Sequence, residues 1–429
     1  MAGPRSGTGR EPGTARRRLP AAYWVLWSAS STSNLADGVR AAALPLLAVA
    51  LTRDPRLVAG LTAVRTLPWL VFGLVAGAVV DRVDRRRLMI LANLGQAALL
   101  GSLAVAVGTG NAGILALYVV AFVVGVGETL HDNAAQTVLP AVVHRDQLPD
   151  ANGKLVAAER VTNEFAGPPL GAALFSVGAA VPVAADAVLA AASSALMLPV
   201  HGSFKVERDE AEPASLRRQI GYSLRWLWRH RPLRTLAGLA AVVGIVDTAW
   251  FATLVLFALD ELGASQAQFG LLLAAGAIGS VAGALAAPRL SRAVGPARGI
   301  IGTLVAAGVV QLLLGLTGGP VLAGVLLAAS GFALTAWNVL VVSLRQALVP
   351  AELLGRVTAA YRFVGLGSMP LGAVLGGILG QTLGLRAPLL LGAPVLVLAA
   401  LLATRSVNRS TLSPVGPQPG GVDARPEDP

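Results

Sequence analysis

Apolar residues along this chain come in long blocks rather than in alternation. Twelve blocks, at approximately 21–50, 57–80, 88–108, 112–140, 154–178, 181–200, 234–259, 266–288, 300–317, 320–343, 355–380 and 385–404, approach or exceed the ~20 residues that a helix needs to cross a bilayer. The pattern predicts an all-α integral membrane protein of twelve transmembrane helices. One long polar connection, 201–233, divides these spans six and six. The expected organisation is an N-terminal tail at 1–20, a six-helix bundle at 21–200, the connection at 201–233, a second six-helix bundle at 234–404 and a C-terminal tail at 405–429. Both tails lack an apolar period and are expected to be disordered. Within the connection, Leu216, Ile220, Leu224 and Leu227 share one helical face, Arg and Trp fill much of the rest, and Pro232 ends the segment. That arrangement predicts an amphipathic helix on the anionic inner leaflet.

Composition narrows the class. Hydrophobic residues make up 55% of the chain and charged residues 13%, whereas soluble proteins are about a quarter charged. The 49 glycines and 26 prolines would break soluble helices, but membrane helices tolerate both. Cysteine is absent and histidine occurs four times, so neither a disulfide framework nor a metal site is expected. No Gly-x-x-x-x-Gly-Lys-Ser/Thr loop occurs, which argues against ATP as the energy source, and no catalytic constellation suggests an enzyme.

The net charge of +11 would suit a nucleic-acid binder if it were clustered on one folded domain. Instead, 27 of the 34 Lys and Arg fall in the tails, in loops or (Lys154, Arg234 and Arg356) at span ends on one side of the predicted spans, and only Arg53, Arg56 and Arg386 fall on the other. This asymmetry predicts that both tails and the 201–233 connection are cytoplasmic. The expected partners are a small-molecule solute and the lipid bilayer, with no nucleic acid, and the chain is expected to be monomeric.

The two halves echo each other. Pro149 precedes Pro169-Leu170-Gly171 by 20 residues, and Pro350 precedes Pro370-Leu371-Gly372 by the same 20, at an offset of 201. Arg289-Leu290-Ser291-Arg292 repeats, in weakened form, the basic turn after the second span. Parallel duplication of this kind is a transporter architecture.

Charges inside spans cost at least ~2.5–3.5 kcal/mol each, so each requires a reason. The first half holds Asp37, Glu128, Asp132, Glu159, Glu164 and Asp186 against Arg40, Arg65 and Arg160, while the second holds Asp247 and Arg362. Asp37 with Arg40, and Arg160 with Glu164, lie one turn apart and can pair locally. Arg65, ~12 Å into the second helix, can reach Asp37. Glu128 and Asp132 share a face with His131 beside them and no Arg in their helix. Asp37, Glu128, Asp132 and Asp247 are therefore the proton-coupling candidates, since unpaired carboxyls in a low dielectric bind protons near neutral pH. Arg40, Arg65, Arg160 and Glu164 are charge partners. The alternative reading makes the acids structural ion pairs between helices. Asp132, Glu159 and Asp186 fall near predicted span ends, where a hydrated interfacial role is expected.

The turn Gly77-Ala78-Val79-Val80-Asp81-Arg82-Val83-Asp84-Arg85-Arg86-Arg87 joins the second and third spans. Its Gly-x-x-x-Asp-Arg-x-x-Arg-Arg pattern resembles the signature loop of the major facilitator superfamily, with Asp84 where that family usually has Gly. The resemblance implies two pseudo-symmetric six-helix bundles that alternate access to a central site. It also implies a cytoplasmic latch of Gly77, Asp81, Arg82, Arg85, Arg86 and Arg87. Gly167-Pro168-Pro169-Leu170-Gly171 resembles the antiporter motif of drug-exporting branches through Gly167, Pro168 and Gly171, with Asn163 at a position where that motif has glycine. Residues 37–47 and 224–230 resemble bacterial exporters of siderophores and macrolides. Gly73-x-x-x-Gly77 and Gly372-x-x-x-Gly376-x-x-x-Gly380 read as packing seams. Together these imply proton-coupled efflux of amphipathic small molecules, with no cofactor and the proton gradient as energy source. An importer or uniporter, and a membrane sensor or scaffold without flux, are the competing readings.

The expected topology is testable because the chain has no cysteine. Arg208→Cys should resist an impermeant maleimide in intact cells and Gly318→Cys should label; the opposite pattern would invert the orientation.

Overall fold

A computed structural model describes residues 19–80, 83–144, 147–199, 225, 228–349 and 351–406. Among them, twelve helical runs follow one another. The first six are α1 (Ala21–Leu51), α2 (Pro55–Val80), α3 (Arg85–Gly108), α4 (Ile114–Val142), α5 (148–177) and α6 (Ala180–Met197). The second six are α7 (231–261), α8 (Gln266–Val294), α9 (Pro296–Leu316), α10 (Pro320–Leu348), α11 (Ala351–Leu383) and α12 (Ala387–Ala403). Nine apolar helices among the described residues are long enough to cross a membrane, and α12 is a shorter apolar helix. The expected all-helical membrane fold is what forms. Successive helices alternate in direction, so the bundle has two ends, named here for Arg86 and Arg386. The tails and most of the expected amphipathic helix at 201–233 lie outside the described residues; Trp228 and Arg229 are helical and exposed.

Helix boundaries follow local chemistry. Asp84 caps α3, its carboxylate accepting from the Arg87 backbone N–H at 3.0 Å, a contact typically worth ~1 kcal/mol. The acid that departs from the family's usual Gly therefore has a structural task. Ser265 and Gln268 form a reciprocal capping box at the start of α8. That helix runs past Pro288 to Val294, six residues beyond the span expected from the sequence, because proline inside a long helix removes only one backbone bond. Gly295 then turns the chain into α9 with φ of 84°, a conformation suited to glycine.

α5 and α7 are not uniform. α5 comprises an α-helical Leu148–Glu159, a π-helical Arg160–Ala166 and an α-helical Gly167–Val177. Pro168 and Pro169 supply no backbone N–H, so the carbonyls one turn earlier lose their ordinary donors. Gly167 N–H reaches back five residues to Thr162 O, the π spacing. α7 breaks at Ala252 and Thr253 and finishes in a second π turn, Phe257–Glu261.

The buried apolar residues are partitioned unevenly. At the Arg386 end, one cluster contains residues of both halves, including Leu47, Val58 and Phe175 with Trp250, Phe257 and Phe269. At the Arg86 end each half has its own cluster. Tyr23, Met89 and Met197 belong to one, Leu236, Leu340 and Tyr361 to the other. The halves thus share a core at one end and keep separate cores at the other.

Glycines set the close crossings within each half. A Cβ on Gly38 in α1 would lie 2.9 Å from Gly167 Cα in α5, and one on Gly171 would lie 3.0 Å from Val39 Cα. The second half repeats this. A Cβ on Gly372 in α11 would lie 2.9 Å from Ile245 Cα in α7, and one on Gly244 would lie 2.8 Å from Gly365 O. The duplicated Pro-Leu-Gly motifs therefore make equivalent backbone contacts in the two halves. Between the halves, α2 packs on α11 and α5 on α8.

A side chain at such a crossing must displace backbone, and overpacking costs ~1–3 kcal/mol. Gly376→Leu, where a Cβ would lie 2.7 Å from Ala249 Cα, should lower abundance and the thermal midpoint in detergent. Gly95→Ala, with nothing within 4 Å, should leave both unchanged or raised. Equal melting of the two variants would remove the seam from the account.

Candidate functional site

A buried charge cluster lies inside the first half. Gly38 holds α1 against α5, and on the same stretch of α1 Asp37 and Arg40 stand one turn apart and form an ion pair. Arg40 is only 3% exposed. Its Nη1 lies 3.2 Å from Glu128 Oε1 on α4, and its Nε lies 3.2 Å from Asp186 Oδ2 on α6. One guanidinium therefore faces three carboxylates from three helices. Asp186 is 1% exposed, and its Oδ1 has no hydrogen-bond partner among the described residues. Hydrogen bonds nearer the Arg86 end tie α6 to α3 and to α1. Asn93 Nδ2 on α3 donates to Ser193 Oγ on α6 at 3.0 Å, and Ser193 donates to Ala29 O on α1 at 2.8 Å.

A cavity of about 390 Å³ lies between the halves. On the first-half side it is lined by Arg160, Asn163 and Glu164 from the π turn of α5, and by Pro168. Arg160 and Glu164 form the local ion pair expected from their spacing. The facing wall carries Asp247, Trp250 and Phe251 of α7, with Ser280 of α8 and Ser330 and Thr335 of α10. Trp250 hydrogen-bonds to Asp247 one turn before it. The π turn thus brings three polar side chains of α5 to the cavity, among them Asn163, the residue that departs from the antiporter motif. A second, small cavity of about 80 Å³ is lined by Arg40 and Arg65 together with Leu254 and Phe269.

Several sequence expectations change here. Glu128 has no base in its own helix, but α1 delivers Arg40 to it. Arg65 lines a cavity with Arg40, and its charge acts on Asp186. Asp186, expected to be a hydrated residue near a span end, is instead fully enclosed against Arg40, because α6 packs along α1. Its sequence signal was the surplus of acids over bases in the first half. The Asp132 side chain lies outside what the structure describes. At the basic turn, Asp81 and Arg82 lie outside the described residues, as does the side chain of Arg85. Arg86 donates from Nε to Met197 O at 3.1 Å and from Nη2 to Leu198 O at 2.6 Å, closing the C-terminus of α6. Arg87 contributes its backbone N–H to the α3 cap, and its side chain is exposed.

At the Arg386 end, each of the three basic residues meets an acid. Arg53 Nη1 lies 2.5 Å from Asp260 Oδ1 in the other half, and Arg386 Nε lies 2.8 Å from Glu261 Oε2. Arg56 lies 2.8 Å from Asp54, and the hydrogen bond from its guanidinium holds the Asp54 carboxyl below the usual range.

The profile of the transmembrane secretion effector family, a branch of the major facilitators, matches residues 19–413. The chain belongs to this family. It is a multi-pass membrane transporter of the major facilitator type rather than an enzyme, and efflux pumps are among its relatives. It is 28% identical over 386 residues to the multidrug efflux pump Tap of Mycolicibacterium fortuitum, covering 87% of this chain and 93% of that protein. It is 24% identical over 155 residues to macrolide efflux protein A of Streptococcus pyogenes, covering 36% and 38% of the two chains. An uncharacterized MFS-type transporter of Mycobacterium tuberculosis is 33% identical over 149 residues, and that match covers 34% of this chain and 33% of the relative. The fold overlays a bacterial homologue of the iron transporter ferroportin in its inward-facing state with a TM-score of 0.75 at 16% identity, covering 92% of this chain and 100% of the other.

Removing one partner from a buried ion pair costs ~3–5 kcal/mol. Arg40→Leu would leave three acids without their guanidinium and should lower abundance and thermal midpoint strongly. Asp186→Leu in the same chain should recover part of the loss. A single variant that melts like the parent would show that the cluster contributes nothing to stability.

Proposed function

We propose that this transporter exports amphipathic small molecules in exchange for protons, with the buried acids of the first half as proton carriers. The observation that carries the reading is Arg40 facing Asp37, Glu128 and Asp186. With all groups ionised, these four side chains carry one positive and three negative charges in a largely buried site, and the Arg65 charge, which also acts on Asp186, offsets only part of the excess. Such an excess is costly to bury, and proton uptake relieves it. Each proton bound weakens one of the competing claims on Arg40. The guanidinium can then shift among the remaining carboxylates, and α1, α4 and α6 feel the change. That is a way for protonation to bias helix packing.

The central cavity supports a substrate site at the interface of the halves. The positive-inside count supports cytoplasmic tails, and the bacterial relatives favour an inner-membrane location. In that orientation the Arg86 end, where the halves have separate cores, faces inward, and the shared core with its Arg53–Asp260 pair seals the outside. Gly77, Asp81, Arg82, Arg85, Arg86 and Arg87 would close the inner face in the opposite state. The relatives named for multidrug and macrolide efflux favour export over import. No cofactor is required beyond the proton gradient.

Glu128→Gln keeps size and hydrogen bonding but fixes the neutral state. In everted vesicles the variant should retain solute exchange and lose most accumulation driven by a pH gradient, at normal membrane abundance. Accumulation equal to that of the parent would remove Glu128 from coupling, and undiminished transport after collapse of the gradient would favour a uniporter.

A further inference from the structure

Resting on this transport reading, we infer that the cavity between the halves is a binding site for a lipophilic cation, with Asp247 as the group that recognises its charge. The cavity walls contain three described charges. Arg160 and Glu164 sit one turn apart on α5 and neutralise each other. Asp247, on the opposite wall, makes no ion pair among the described residues, so it leaves the cavity with one uncompensated negative charge. Its setting is apolar and aromatic. Trp250 and Phe251 follow it on α7 with ring centroids 5.9 Å apart at 77°, and Leu254, Leu272 and Leu327 complete that side. A carboxylate in an apolar, aromatic wall attracts a cation by Coulombic force, and any ring face that the cation reaches adds to it.

The volume of about 390 Å³ lies within the ~300–1,000 Å³ usual for small-molecule pockets. The serine and threonine hydroxyls of α8 and α10 add hydrogen-bonding capacity without adding charge. An anionic solute would meet the unopposed carboxylate, and a neutral one would desolvate Asp247 without pairing it. Cationic solutes avoid both penalties.

The assignment also separates two tasks. Asp37, Glu128 and Asp186 are held by Arg40 inside the first half, whereas Asp247 belongs to the second half and faces the cavity. Asp247, grouped with the proton-coupling candidates on sequence grounds, is by this geometry a substrate group. Proton and cation then occupy different carboxylates and need not compete for one.

The test uses the purified full-length protein and two probes, tetraphenylphosphonium, which is permanently cationic, and neutral triphenylphosphine oxide. Calorimetry should show preference for the phosphonium. Asp247→Asn should weaken phosphonium binding by about tenfold or more, a change of ~1.4 kcal/mol, while leaving the neutral probe unaffected, and Asp247→Glu should restore most of the affinity. Unchanged phosphonium binding by Asp247→Asn, or preference of the parent for the neutral probe, overturns the inference. A parallel uptake assay in everted vesicles with ethidium and with uncharged chloramphenicol separates this inference from the transport reading. Uptake of chloramphenicol but not ethidium overturns the cation site and leaves transport standing. Asp247-dependent phosphonium binding without uptake of either solute supports the cation site and overturns transport.

Discussion

Much of this molecule follows from the cost of taking charge out of water. An isolated ion inside a bilayer is expensive enough that each one must be paired, hydrated or functional. Arg40 is the centre of the largest such arrangement among the described residues. It draws α1, α4 and α6 together through Asp37, Glu128 and Asp186, so a single guanidinium links helices that are distant in sequence. The cluster is stabilising only while its members are matched, because removal of one partner exposes the desolvation cost of the others. The strength of this structural tie therefore depends on every member of the cluster.

The backbone geometry that permits this arrangement comes from small residues. Without a hydrophobic driving force between helices in lipid, close contact relies on glycine and on packing. Gly38 and Gly167 let α1 and α5 touch backbone to backbone, which fixes where Asp37 and Arg40 stand. Two consecutive prolines after Gly167 create the neighbouring π turn, which aims Arg160, Asn163 and Glu164 at the cavity. One pentapeptide thus fixes the crossing of α1 on one side and shapes the cavity on the other. The second half retains the Pro-Leu-Gly contact but carries Val246 where the first has Arg40, so the duplicated scaffold holds a guanidinium at this position in the first half alone.

The fold was legible because membrane helices announce themselves as blocks, and the halves as an offset repeat. Local pairs were legible too: Asp37 with Arg40 and Arg160 with Glu164 follow from one-turn spacing. Pairs across helices were not. Glu128 looked solitary because its base is on α1, and Asp186 looked interfacial because distance from a span end says little about what a neighbouring helix covers. Asp84 looked like a departure from a motif and proves to be a helix cap. In each case the missing information is the rotation of one helix against another, which no single-helix periodicity contains.

The unequal division of the apolar core has an energetic consequence. If the two ends exchange roles during the cycle, the shared cluster must divide while the two separate clusters join. Apolar surface lost from one end is then recovered at the other, so the end states can lie close in free energy although each is held by extensive burial. The intermediate, with both ends parted, would expose both surfaces at once. Such a molecule would be a bistable rocker: its barrier would carry a heat-capacity signature of transient apolar hydration, and its resting bias would be open to adjustment by something as small as the binding of one proton.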